Sequence, residues 1–118
     1  MRVLIADDQK SVGASLAELV RSCHHEVVEV VTSGLEAIQA YGRHQPDVVL
    51  MDYEMPRLNG KTACRNIVAK YPDARVILVS GLPRDIDDSG ALTLLQKPVD
   101  LNQLYAALYD AAQPRASA

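Results

Sequence analysis

Five short apolar runs alternate with amphipathic segments along the 118-residue chain. The runs cover residues 3–6, 27–31, 48–51, 76–79 and 92–95. Four of the five contain no charged residue, as expected for strands that are covered on both faces of a parallel sheet. Because strands that alternate with helices are joined by right-handed crossovers, the pattern predicts an α/β fold with a five-stranded parallel sheet.

The segments between the runs have helical periodicity, except for the last one. Thr32 or Ser33 can cap the second helix, and Asp100 can cap the final helix. These elements suit a doubly wound sheet with the flavodoxin-like strand order 2-1-3-4-5. Residues 81–91 leave too little room for a full crossover helix, since a mean helix takes about 11 residues before any loops. We therefore predict a shortened or missing fourth helix, with at most one helical turn between residues 83 and 91 and high mobility there.

Composition restricts the class of protein. The length fits one domain, which we assign to residues 1–113, followed by a flexible tail at residues 114–118. The net charge of −3 without a basic run argues against direct nucleic-acid binding. No apolar stretch reaches the roughly 18 residues that a membrane span needs, so we expect a cytoplasmic protein that does not enter membranes. Cys23 and Cys64 lack metal-site spacing and are expected to be reduced thiols.

Polar side chains follow four of the predicted strands, at the carboxyl edge where ligands bind in doubly wound sheets. They are Asp7 and Asp8 after strand one, Asp52 at strand three, Ser80 at strand four and Lys97 after strand five. Clustered carboxylates repel one another unless a cation joins them, and hard oxygen ligands suit Mg²⁺. A carboxylate beside Mg²⁺ and a lysine is a competent nucleophile toward phosphorus. The set predicts a phosphoryl acceptor, with one of the carboxylates as nucleophile and with Lys97 and Ser80 contacting the phosphoryl oxygens.

The sequence resembles the response-regulator receiver (CheY-like) family of two-component signalling systems over nearly its whole length. Asp52, Met55, Pro56 and Gly60 match the family pattern D-x-x-M-P-x-x-x-G, and the acidic pair, the serine and Lys97-Pro98 stand in the family's order. From the residues alone, Pro56 fixes the loop after the acceptor and Gly60 permits a tight turn into the third helix.

The resemblance implies a ligand set for Mg²⁺. Asp8 and Asp52 would bind the ion directly, the backbone carbonyl of Glu54 would complete the protein ligands, and Asp7 would act through water. Asp52 would accept the phosphoryl group and Lys97 would contact it, and the peptide bond between Lys97 and Pro98 would be cis.

The resemblance also implies partners and a mode of action. A histidine kinase or a histidine phosphotransfer protein would donate the phosphoryl group, and phosphorylation would shift a pre-existing conformational equilibrium. A downstream protein would be contacted by strand five and the last helix, with Leu94, Tyr105 and Tyr109 nearby. We expect a monomer or weak dimer and no external product, so the domain is not an enzyme in the usual sense. The start of strand one directly after Met1 and the short tail favour a free-standing regulator.

Three features depart from the usual receiver pattern. Leu94 occupies a position where receivers usually carry Phe or Tyr, so the aromatic half of the usual switch is missing. Gly81 and Leu82 follow the serine, and the stretch from Ser80 to Lys97 is short. Ser-Gly together with Leu-Leu-Gln-Lys-Pro resembles a receiver subset often attached to hybrid sensor kinases, in which the fourth helix is short or disordered.

Two other function classes fit parts of the pattern. An Asp-nucleophile phosphatase needs a second Asp two residues after the nucleophile, where this chain has Glu54, and it needs a cap domain to bind its substrate. A pseudo-receiver that acts as a constitutive binding module would be favoured by loss of an acid or of Lys97, and none is lost.

Overall fold

Five parallel strands lie between two layers of helices in the computed structural model, which describes residues 1–114. The strands are β1 (Arg2–Ala6), β2 (Glu26–Val31), β3 (Val48–Asp52), β4 (Val76–Ser80) and β5 (Thr93–Gln96). The helices are α1 (Lys10–Ser22), α2 (Gly34–His44), α3 (Gly60–Lys70) and α4 (Leu101–Ala112). The strand order is β2-β1-β3-β4-β5, so the predicted fold class and topology are confirmed. Apart from Pro114, the predicted tail lies outside the described residues.

The sheet separates two aliphatic cores. One core lies under α2 and α3, and the other lies under α1 and α4. Strands β3 and β4 are buried along their full length, as expected for central strands covered on both faces. The same expectation is wrong for β5, which is only partly buried because it is an edge strand. The other edge strand is β2, whose run contains the charged Glu29, and it is also only partly buried. In β5, Leu94 packs into the α2–α3 core and Leu95 into the α1–α4 core.

Side-chain caps fix where three of the helices begin. Ser33, one of the two predicted caps, accepts a hydrogen bond from the Glu36 amide at 3.1 Å and starts α2. Asn59 caps α3, and Asp100 caps α4 as predicted. Because each cap satisfies an amide that the first helical turn leaves open, the loops that carry the site end at defined positions.

The connection from β4 to β5, residues 81–92, contains no helix. We refer to it as the crossover. Its second half is attached to α3: the Cys64 thiol donates to the Ser89 carbonyl at 3.3 Å, and Arg65 donates to the Asp88 carbonyl at 3.2 Å. Ser89 is only 2% exposed, so this half lies against the core although its backbone is irregular.

The prediction of at most one helical turn between residues 83 and 91 is confirmed. Ser89 supplies hydrogen bonds to the backbone of this stretch in place of those of a helix. Its hydroxyl donates to the Ile86 carbonyl and accepts from the Ala91 amide at 3.0 Å, which satisfies backbone groups that a helix would have paired internally. The high mobility of this stretch stays a prediction. Because Ser89 is held against the core, we expect the mobility in the first half of the crossover.

Both cysteines are free, buried thiols, in agreement with the expected reduced state. Burial raises the pKa of each thiol, to about 11 for Cys64. Neither side chain takes part in the polar cluster at the carboxyl edge of the sheet. Within residues 1–114, none of the helices is both long and apolar enough to cross a membrane.

Candidate functional site

Three aspartates meet at the carboxyl edge of the sheet. Asp7 and Asp8 follow the last residue of β1, and Asp52 is the last residue of β3. One carboxylate oxygen from each lies within 4.8 Å of the others. Asp7 and Asp52 are buried, whereas Asp8 is exposed to solvent. The sequence prediction that strand topology would bring these three side chains together is therefore confirmed.

Lys97 supplies a positive charge to this cluster. Its Nζ lies 3.0 Å from an Asp7 oxygen and 3.3 Å from an Asp52 oxygen. The Lys97 amide donates to the Ser80 carbonyl at 2.7 Å, and the bond to Pro98 is cis as expected. Burial alone would lower the pKa of Lys97, but the hydrogen bond to Asp7 and the charges of both aspartates outweigh it and raise the pKa. The ammonium group therefore stays charged.

One ammonium group does not balance three carboxylates. The pKa of Asp52 is raised to about 6, chiefly by burial and then by the charge of Asp7 and a hydrogen bond with Asp8, while Lys97 acts to lower it. A carboxyl group with a raised pKa beside other carboxylates is the expected result of like charges brought together in a poorly solvated place. This donor set fits a hard divalent cation, because added positive charge would relieve the repulsion.

In the metal-free protein, the contribution of Asp52 to stability should fall as the pH rises from about 4 to about 6. The folded state keeps a proton on Asp52 up to about pH 6, whereas the unfolded carboxyl loses it near its ordinary value of 3.8. Since the folded state binds more protons in this window, the free energy of unfolding falls with rising pH. Asp52→Asn should therefore raise the free energy of unfolding by about 2 to 3 kcal/mol at neutral pH.

Urea denaturation in the presence of a chelator measures this effect. The difference between Asp52→Asn and wild type should be largest at neutral pH and should nearly vanish at about pH 4, below the folded pKa. Added Mg²⁺ should reduce the difference at neutral pH by stabilising the wild type alone. A difference that does not change with pH would contradict the raised pKa.

Gly60 brings the start of α3 against the acceptor strand. A Cβ at this position would lie 2.1 Å from the Asp52 carbonyl oxygen, far inside contact distance. The Gly60 amide also donates to the Tyr53 carbonyl at 2.8 Å. The glycine is therefore required by close backbone approach, and the interpretation that it only permits a tight turn is incomplete.

Ser80 lies beside Asp52, because Asp52 pairs with Val79 in the β3–β4 ladder. Its side chain is fully buried, and its hydroxyl contacts the two Glu54 carboxylate oxygens at 2.8 and 2.7 Å. Glu54 also forms a salt bridge to Arg84 at 3.1 Å. The sequence pointed to Glu54 for its backbone carbonyl and as a mismatch with the phosphatase pattern, and it assigned no role to Arg84. The opposite charges were visible in the sequence, but their contact depends on the path of the crossover.

Comparison with known proteins decides the family. A family model described as the response regulator receiver domain matches residues 3–109. The chain belongs to the response-regulator receiver family. Receivers are signalling modules of two-component systems. The cluster of Asp7, Asp8, Asp52 and Lys97 at the carboxyl edge of the sheet is the candidate site of this receiver.

Two curated relatives illustrate the similarity of this receiver to known proteins. The chemotaxis protein CheY of Listeria monocytogenes is 33% identical over 118 aligned positions, and the alignment covers 96% of this chain and 99% of that protein. The transcriptional regulatory protein PdtaR of Mycobacterium tuberculosis is 36% identical over 111 residues, which cover 91% of this chain. The matched part is 54% of PdtaR, so the receiver spans about half the length of that relative.

A solved structure is similar over almost the whole receiver. A chain of the CheX-CheY-BeF3-Mg²⁺ complex from Borrelia burgdorferi superposes with a TM-score of 0.90 at 28% identity. The superposition covers 97% of this chain and 90% of that chain.

Proposed function

We propose that this receiver accepts a phosphoryl group on Asp52 from a histidine kinase or a histidine phosphotransfer protein and relays the signal by a change of conformation. The observation that carries the proposal is the position of Asp52. Its carboxylate is buried at the end of β3, 3.3 Å from Lys97 and clustered with Asp7 and Asp8. Burial of carboxylates costs free energy, and a structural ion pair with Lys97 would need only one of them. The cluster of three therefore supports a functional role.

The chemistry assigns one role to each side chain. A carboxylate oxygen of Asp52 forms the new bond to phosphorus while the bond from phosphorus to the donor's histidine nitrogen breaks. Lys97, already within hydrogen-bond reach of Asp52, balances the charge of the incoming oxygens. The Ser80 hydroxyl, at the end of the neighbouring strand, donates to one phosphoryl oxygen. No external product forms, which distinguishes a relay from an enzyme with its own substrate.

The residues fit Mg²⁺. Asp8 and Asp52 would hold it directly, the backbone carbonyl of Glu54 would complete the protein ligands, and Asp7 would act through water. When bound, the ion would neutralise negative charge on the acceptor and on the phosphoryl oxygens. The exposure of Asp8 suits a partly hydrated cation, and Asp7, which makes the shorter of the two Lys97 contacts, suits the indirect role. The similar CheX-CheY-BeF3-Mg²⁺ complex from Borrelia burgdorferi supports the same chemistry.

Asp8→Asn should weaken Mg²⁺ binding by about tenfold or more, a loss of about 1.4 kcal/mol, because it removes a direct carboxylate ligand. Asp7→Asn, the matched variant, should have a much smaller effect on Mg²⁺ affinity, because that carboxylate is engaged by Lys97. Isothermal titration with MgCl₂ measures both, and the rate of phosphorylation should follow the same order. Equal losses would mean that the two acids share the ion.

Incubation with acetyl phosphate and Mg²⁺, followed by intact-protein mass spectrometry, tests the proposed function. A single acid-stable, base-labile phosphoryl adduct supports the relay. Continuous release of phosphate at enzymatic rates supports an Asp-nucleophile phosphatase, and inertness supports a pseudo-receiver. The intact set of Asp7, Asp8, Asp52 and Lys97 favours the relay over the pseudo-receiver.

The proposed output surface includes α4 and the edge strand β5. Tyr105 and Tyr109 are 56% and 58% exposed on α4, which suits contact with a downstream protein. Leu94 is partly buried and packs into the α2–α3 core, on the opposite face of the sheet from α4. We propose a protein partner here and a monomer or weak dimer for the free receiver. The complex of CheX and CheY is an example of a receiver relative with a protein partner.

A further inference from the structure

The Glu54 carboxylate binds at the end of β4. It accepts hydrogen bonds from the Ser80 hydroxyl at 2.7 to 2.8 Å and from the Gly81 amide at 3.3 Å. It also accepts from Arg84 Nε at 3.1 Å, and the Arg84 guanidinium lies 5.2 Å from the centre of the Tyr53 ring. An anionic group therefore already occupies the donors at the mouth of the acceptor site.

The Ser80 hydroxyl has a single proton to donate. Its oxygen accepts from the Leu82 amide at 3.0 Å, and its proton is directed to Glu54. The hydroxyl cannot donate to Glu54 and to a phosphoryl oxygen at the same time. A phosphoryl group on Asp52 and the Glu54 carboxylate thus compete for one donor.

Electrostatic repulsion between a phosphoryl group on Asp52 and the Glu54 carboxylate adds to this competition. Phosphorylation of Asp52 would add negative charge beside Glu54 at an edge that already carries three aspartates. The Glu54 side chain is 36% exposed, so it has a path into solvent. Asp52 and Ser80, by contrast, are fixed in buried strands and have no such path.

We propose that Glu54 is a positioning residue that fills the phosphoryl subsite of the unphosphorylated receiver, and that phosphorylation displaces its carboxylate from Ser80 and Gly81. This inference rests on the proposed function of Asp52. The displaced carboxylate no longer ties Arg84 to the end of β4. Glu54 therefore lowers the affinity of the site for phosphoryl groups and couples its occupation to the crossover.

The contacts also define how far the change extends. Residues 81–85 are exposed, and Glu54 holds them through Gly81 and Arg84. The second half of the crossover is attached to α3 through Ser89 and Asp88, and these contacts do not involve the acceptor site. The first half moves when Glu54 is displaced, and Ser89 marks the fixed end.

Titration with beryllofluoride, a phosphoryl mimic, at saturating Mg²⁺ tests the competition. Binding is followed by two-dimensional NMR of the amide groups in wild type, Glu54→Ala and Glu54→Gln. Glu54→Ala should bind about tenfold more tightly, since a hydrogen bond to a charged group no longer has to be broken. Glu54→Gln, which keeps the shape but loses the charge, should lie between. Glu26→Gln, with the same charge change at an exposed position at the other end of the sheet, should bind as wild type does.

Amide hydrogen exchange in the free protein provides a readout that does not depend on phosphorylation. Glu54→Ala should speed exchange of the Gly81 amide about tenfold and leave the Ala91 amide unchanged. Equal or weaker beryllofluoride binding by the Glu54 variants, with binding by wild type intact, overturns the competition and leaves the proposed function standing. No binding by wild type or by any variant overturns the proposed function itself and the inference with it.

Discussion

Asp52→Asn should abolish labelling by acetyl phosphate in the presence of Mg²⁺. The amide keeps the shape of the side chain at the end of β3, but it is not a nucleophile toward phosphorus. Asp73→Asn, which changes an exposed carboxyl in the loop after α3, should be labelled to the same extent as wild type. Intact-protein mass spectrometry after a fixed incubation measures both variants.

The variant should also remain folded, as judged by circular dichroism, because removal of a buried carboxylate relieves repulsion within the cluster. Labelling that persists at wild-type level in a folded Asp52→Asn protein would move the acceptor to Asp7 or Asp8. Peptide mapping of the adduct would then identify which of the two carries it.

Gly60→Ala should destabilise the protein by at least about 2 kcal/mol, because overpacking against a rigid neighbour forces the backbone to shift. The neighbour here is the Asp52 carbonyl, 2.1 Å from the added Cβ, and the Asp52 and Tyr53 backbone cannot yield as a flexible side chain would. In an ordinary helix the same substitution would be favourable by about 0.5 to 1 kcal/mol. The sign of the effect therefore separates close approach from helix propensity.

Gly81→Ala is the matched control. Within the described part of the chain, a Cβ at Gly81 would meet no atom within 4 Å. We expect a change within about 0.5 kcal/mol, as for other exposed positions. Urea denaturation of both variants and wild type gives the comparison, and near-equal stabilities would disprove the steric role of Gly60.

The strand order and the aspartate cluster could be predicted from the sequence because they depend on few variables. Apolar runs of strand length marked the sheet, and parallel topology brings the carboxyl ends of neighbouring strands to one edge. Once Asp52 and the Asp7-Asp8 pair stood at strand ends, their proximity followed without knowledge of any side-chain angle. The missing helix was also predictable, because eleven residues with Pro83 near their start leave little room for one.

Features that depend on the path of irregular backbone could not be predicted. The contact between Glu54 and Arg84 requires the crossover to fold back over the end of β4. The burial of Ser89 depends on its fit against α3, and polar residues in a turn-forming sequence normally indicate exposure. The requirement for Gly60 arises from a backbone approach between α3 and β3 that no local pattern specifies.

The contact between Cys64 and Ser89 makes the reactivity of this thiol a measure of how often the crossover detaches from α3. The thiol is fully buried, and burial raises its pKa to about 11, so little thiolate forms and no reagent reaches it while the crossover stays in place. Alkylation of Cys64 in the native protein requires residues 86–91 to detach from α3. The rate of alkylation at fixed pH therefore measures the population of that detached state.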